Sequence, residues 1–164
     1  MSIEINGIAH VQLSLNDFAR GSVFWEKLCH FLGMKTLIKA ADTEYCIGGR
    51  TGILVRPTAA ANRGRRFDQW SAGLHHLCFR VRAREDIDAV YRFAVDELGA
   101  TIVHAPEEGA FAPGYYSVLF EDPDGVRVEL NFVPGKGHFG GEGRLAPDGP
   151  GPAGSYGEGG LGRG

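Results

Sequence analysis

The order of structural signals in this chain occurs twice, and that internal repeat limits the possible folds more than any single motif. Gly7-Ile-Ala-His-Val-Gln-Leu-Ser-Leu15 alternates polar and apolar residues, the period-two pattern of a half-buried strand. Asn16 and Asp17 offer a helix N-cap, and Phe18, Val23, Phe24, Lys27, Leu28, Phe31 and Leu32 supply a helical stripe that ends at Gly33. Three strand-like runs follow, MKTLIKA, TEYCIGG and TGILVRP. After a polar linker at 58–72 the same order returns. A strand at 73–81 precedes a helix from about 85 to Leu98, stopped by Gly99, and then come the strands ATIVHA, YYSVLFE and VRVELNF. Aligned on itself, the chain sets GIAHVQLSL on GLHHLCFRV, with His10 over His76 and His75 over Ala9, and sets Gly52-Ile-Leu-Val-Arg56 on Gly125-Val-Arg-Val-Glu129. The expected class is α+β, built from two βαβββ modules at about 6–57 and 73–133.

Side chains alternate across a strand, so His10, Gln12 and Ser14 share one face while Val11, Leu13 and Leu15 share the other. In the second module His76, Cys78 and Arg80 oppose Leu77, Phe79 and Val81. In the last strand Arg127, Glu129 and Asn131 oppose Val128, Leu130 and Phe132. An ordinary antiparallel sheet turns such a polar face to water. Exposed strand faces usually carry Lys, Glu and Thr, however, whereas these positions carry His, His and Glu. Two imidazoles and one carboxylate from three strands make a facial set for one divalent ion, with positions left open for water or substrate. These donors suit Fe, Mn, Zn, Ni or Co and do not choose among them.

The repeat sets Arg56 opposite Glu129 as a fourth corner. A guanidinium cannot ligate a cation, so three protein ligands are expected. Arg56 then either pairs with Glu129 or an anionic substrate group, or simply leaves the strand early because Pro57 follows. Gln12, Arg56, Cys78 and Arg127 are candidates to line a substrate pocket. His75, His30, His104 and His138 read as structural or exposed histidines. The loop Pro106-Glu-Glu-Gly-Ala-Phe-Ala-Pro-Gly114 is placed to cover a site.

Composition narrows the partners. A net charge of −3 and a pI near 6.1 give no basic field for nucleic acid. No stretch approaches 18 apolar residues, and MSIEINGIAHVQ lacks the charged and apolar regions of an export signal. The three cysteines are odd in number and widely spaced, which argues against a disulfide framework and for a reducing, cytoplasmic setting. Small molecules are the default partner. Residues 135–164 hold 13 of the 25 glycines and almost no aliphatic side chains, so they read as a flexible tail to a domain spanning 1–134.

With the repeat, GLHHLCFRV and GYYSVLFEDPDGVRVEL in hand, the sequence resembles the vicinal oxygen chelate superfamily, which includes glyoxalase I, extradiol dioxygenases, and bleomycin- and fosfomycin-resistance proteins. The likeness covers about residues 6–133. It implies a curved eight-stranded mixed sheet, a cup with the helices on its outer face, and it implies His10, His76 and Glu129 as metal ligands. It further implies a homodimer and a catalytic role for Glu129. The tyrosine that extradiol dioxygenases usually carry upstream of the glutamate would fall near Leu119; Tyr115 or Tyr116 can substitute, and Tyr116 is the one expected at the site. Members share the site and differ in chemistry. The resemblance therefore implies a metal-dependent enzyme of glyoxalase or dioxygenase type acting on vicinal oxygens of a small substrate, with a non-catalytic drug-binding protein as the reading from another class.

Overall fold

The computed structural model describes residues 3, 5 and 7–134; the glycine-rich segment 135–164, with His138, lies outside the described residues. The described residues fall into two compact units, the first formed by those up to 68 together with Asp122–Val126, the second by 69–121 with 127–134. Each holds one βαβββ module and one mixed four-stranded sheet.

In the first unit, β1 (Val11–Leu15), α1 (Phe18–Phe31), β2 (Lys35–Ala40), β3 (Thr43–Gly48) and β4 (Thr51–Pro57) form a sheet of order β1-β4-β3-β2. β1 runs parallel to β4 because the helix carries the chain back across the sheet, and the two hairpins that follow are antiparallel. Asp17 caps α1, its carboxylate accepting from the Arg20 N–H at 3.1 Å. The helix stops in a Schellman turn. Gly33, at φ +77°, donates to the His30 carbonyl and Met34 donates to Cys29, a left-handed step that glycine takes without strain. The buried face of α1 carries Phe24, Trp25, Leu28 and Cys29, while Val23 and Phe31 lie on the exposed side. The stripe expected from sequence is thus rotated, because Trp25 and Cys29, four apart, offer a better apolar row than Val23 and Lys27.

The expected linker divides. Asn16 gathers its first part, donating from its side chain to the Arg65 carbonyl and accepting from Gly64 N–H. The same side chain donates to Asp124, whose other carboxylate oxygen takes the Asn16 N–H at 2.8 Å. The Asp122-Pro-Asp-Gly125 turn is therefore built into the first unit. Its anchor is Asp122, 2% exposed, which accepts from Asp124 N–H and Val126 N–H at 2.8 Å and from the Trp25 indole N–H at 2.9 Å.

In the second unit, β5 (Leu77–Arg80), α2 (Glu85–Asp96), β6 (Thr101–Glu108), β7 (Tyr116–Glu121) and β8 (Arg127–Phe132) form a sheet of order β5-β8-β7-β6. Ile87, Val90 and Ala94 bury one side of α2, whose first turn holds Glu85, Asp86 and Asp88 where the helix dipole favours negative charge. Two expected boundaries shift. β5 begins only at Leu77, and β6 runs on to Glu108, so Pro106, Glu107 and Glu108 are strand residues rather than loop. Among the described residues no helix is long and apolar enough to cross a membrane.

Candidate functional site

Register decides which side chains of the second sheet meet. Cys78 pairs with Glu129 across β5 and β8, and Leu119 pairs with Glu129 across β7 and β8. Arg127 pairs with Glu121, and Asn131 with Ser117. One face of this sheet therefore carries Cys78, Ser117, Arg127, Glu129 and Asn131, and the other turns Val118, Phe120, Val128 and Leu130, each wholly buried, toward α2.

Glu129 is the hub of the polar face. Its Oε2 lies 3.0 Å from Nε2 of His76, the residue just before β5, and its Oε1 accepts from the Tyr115 hydroxyl. Asn131 donates to the same hydroxyl at 3.1 Å. Burial pushes the Glu129 carboxyl up, but the hydrogen bonds from His76 and Tyr115 outweigh it and hold the group below the usual carboxylate range. Glu129 is thus a carboxylate at neutral pH. Burial and the bond to Glu129 raise Tyr115, so its hydroxyl keeps its proton. Cys78 is an exposed residue on the same face, with Glu129 as its cross-strand partner.

His75 has a defined place beside this hub. Its Nδ1 and that of His76 are 2.8 Å apart, so one ring donates to the other, and its edge packs against Trp70 with ring centroids 5.3 Å apart. The bond fixes the His76 ring with Nε2 toward Glu129. A histidine hydrogen-bonded at Nδ1, with Nε2 directed at a carboxylate, has the ring orientation that a metal-ligating histidine would need. Two ligands about 2.1 Å from one ion and at right angles to each other stand about 3.0 Å apart, so the His76–Glu129 spacing suits a shared divalent ion. Among the described residues no group of three or more His, Cys, Asp and Glu side chains is arranged to hold a metal.

His10 lies in the first unit, exposed and just before β1, in the place His76 holds before β5. Its ring meets the edge of Tyr45 at 6.1 Å between centroids. Tyr45 in turn lies across Gly52, where any Cβ would overlap its ring. Gln12 is exposed on β1, on the face that parity gives it.

Three expected site residues are corrected. Tyr116 does not reach the polar face; its hydroxyl donates to Asp88 of α2 at 2.9 Å and the Arg84 guanidinium lies 3.6 Å over its ring. The hydroxyl at Glu129 belongs to Tyr115, as parity with Ser117 and Leu119 could have indicated. Arg56 is not the counterpart of Glu129. Gln12 pairs with Leu54 just as Cys78 pairs with Glu129, so the equivalent level holds Leu54, and Arg56, opposite Ser14, is exposed with Asp42 at 3.5 Å. Arg127 is 8% exposed and turned to Glu121 at 3.5 Å, with the Gln69 amide oxygen oriented to accept from it at 3.0 Å, so it braces the sheet rather than lining open space.

The model of the Glyoxalase/Bleomycin resistance protein/Dioxygenase superfamily matches residues 7–130. Among solved structures, one described as a glyoxalase from Bacillus halodurans aligns with TM-score 0.69 at 24% identity, covering 78% of this chain and 96% of that one. The lactoylglutathione lyase of Agrobacterium tumefaciens aligns with TM-score 0.56 at 23% identity over 79% and 95%. A glyoxalase/bleomycin resistance protein/dioxygenase family enzyme of Burkholderia phytofirmans aligns with TM-score 0.57 at 22% identity over 76% and 97%. A comparison with curated proteins finds no match.

Proposed function

Because the chain belongs to the Glyoxalase/Bleomycin resistance protein/Dioxygenase superfamily, whose members generally bind a divalent metal, we propose that it is a metal-dependent enzyme of glyoxalase type acting, as a homodimer, on a small molecule with adjacent oxygens. His76, Glu129 and His10 would hold one divalent ion. The observation that carries this reading is the 3.0 Å approach of His76 Nε2 to Glu129 Oε2, with Nδ1 of His76 fixed by His75. When bound, the ion supplies Lewis-acid polarisation of a substrate carbonyl or enolate.

The remaining work falls to the chain's own groups. The Tyr115 hydroxyl and the Asn131 amide orient Glu129, leaving Oε2 toward His76. Leu54, which pairs with Gln12 as Glu129 pairs with Cys78, offers no donor, so no fourth ligand is proposed at that level. Tyr115, kept protonated, gives its one O–H to Glu129 and so helps to hold that carboxylate ionised and in place. That same hydroxyl on Glu129 favours extradiol-type oxygen chemistry as the second reading.

Metal analysis of protein purified without a tag or chelator tests both. About one equivalent of nickel, zinc, cobalt or manganese, lost in His76→Ala and Glu129→Ala, supports the first reading and calls for assay with thiol adducts of 2-oxoaldehydes. About one equivalent of iron supports the second and calls for a catechol screen. Metal far below one equivalent, and not restored by reconstitution, overturns both in favour of a ligand-binding protein without metal.

A further inference from the structure

The first unit contains a second feature that the metal reading does not use. Where the turn after α1 meets the β3–β4 hairpin, an open pocket of about 670 Å³ is walled by Ala9, Leu37 and Ile47 and flanked by Lys35 and Arg50. Its walls are mainly apolar, and both Leu37 and Ile47 remain exposed, at 60% and 38%. β2 is an edge strand, and exposed apolar side chains on an edge are a liability unless something covers them.

The two cations set the pocket's chemistry. Lys39, Arg56 and Arg84 each have a carboxylate within 4 Å, whereas among the described residues Lys35 and Arg50 have none. Arg50 carries a further mark. It is the one non-glycine at positive φ among the described residues, at 65°, following Gly49 at 56° in the two-residue hairpin loop. Such loops favour glycine or asparagine at both central positions, and an arginine there is strained. Strain of this kind points to a role for the side chain. The nearby end of α1 opposes an anion only weakly, since its His30 and Leu28 carbonyls already accept from Gly33 and Leu32.

We infer that this pocket binds an amphipathic carboxylate, the anion held between Lys35 and Arg50 and the hydrocarbon on Ala9, Leu37 and Ile47. The site lies within one unit and uses no metal donor, so it stands or falls apart from the proposed function.

The test is calorimetric titration of the chelator-treated full chain with decanoate and, separately, with decanol. The expected result is saturable decanoate binding, with decanol at least tenfold weaker. Arg50→Gly removes one charge while relieving the backbone, so it should weaken decanoate at least fivefold and raise the melting temperature. Lys35→Met should act in the same direction on decanoate, and neither substitution should change metal content. Absence of saturable binding up to millimolar decanoate, equal affinity for decanol, or an unchanged decanoate affinity in both variants overturns the inference.

Discussion

Replacing Asp122 by alanine should cost a large share of the fold's stability, because three donors converge on one buried carboxylate. Val126 N–H and the Trp25 indole N–H are buried and would lose this acceptor, while Asp124 N–H is part-buried and can turn to water. An orphaned buried donor costs about 1–3 kcal/mol. Two of them give roughly 2–6 kcal/mol, from which relief of a desolvated charge must be subtracted, since burial raises the Asp122 carboxyl despite its hydrogen bonds. The expected loss is about 3 kcal/mol, against a total of roughly 5–15 kcal/mol for a domain. Thermal and urea unfolding followed by circular dichroism would read it, as a fall in melting temperature of about 6–12 °C. Trp25→Phe removes one donor and should cost about 1–2 kcal/mol, and the double variant should show coupling above about 0.5 kcal/mol. A loss below 1 kcal/mol in Asp122→Ala, or strict additivity with Trp25→Phe, would refute the account of the turn as a hydrogen-bonded anchor.

His75→Ala frees the His76 ring at Nδ1, so metal affinity should fall about 10–100-fold with His76 still present; unchanged affinity in a chelator competition would show that His75 only packs on Trp70. Tyr115→Phe leaves Asn131 and Glu129 each short of a partner inside the sheet and should destabilise by about 1–3 kcal/mol while lowering turnover. Tyr116→Phe should leave turnover alone, and equal kinetic losses in the two variants would contradict the assignment. The Lys39 ammonium, hydrogen-bonded to Glu26 at 2.5 Å, holds that carboxyl below its usual range. A depressed carboxylate stabilises the fold above its unfolded value and loses that effect as the pH falls through the folded value. Lys39→Met should therefore be slightly less stable than the parent at pH 7 and indistinguishable from it in acid, and a difference that grows on acidification would be inconsistent with the pairing.

The βαβββ order and the placing of His76 with Glu129 were legible because they depend on periodicity and caps, which are local. What escaped depends on register. The hairpin β3–β4 turns in two residues, whereas β7–β8 turns through Asp122–Val126, so matching Gly52 to Gly125 slid the repeat by two positions. A slip of two leaves every side chain on its own face, and an alternation pattern cannot detect it. Leu54 was therefore hidden behind Arg56. Tyr116 is the opposite case. Tyr115 and Tyr116 differ by one residue, hence by face, and counting back from Ser117 separates them without any structure. Arg127 shared its parity with Glu129 and still proved structural, because the choice of Glu121 and Gln69 as partners depends on residues distant in sequence.

A duplicated module would ordinarily be expected to behave as an exchangeable cassette, severable in the linker. The Asp122 turn prevents that here, since Trp25 and Asn16 take their partners from a segment more than ninety residues downstream. A fragment ending at 68 would expose an indole with no acceptor, and a chimaera that swapped the second half for a homologue's would have to carry a matching aspartate. Sequence drift in the two repeats is thereby coupled: replacing either Trp25 or Asp122 alone leaves the other without this buried partner.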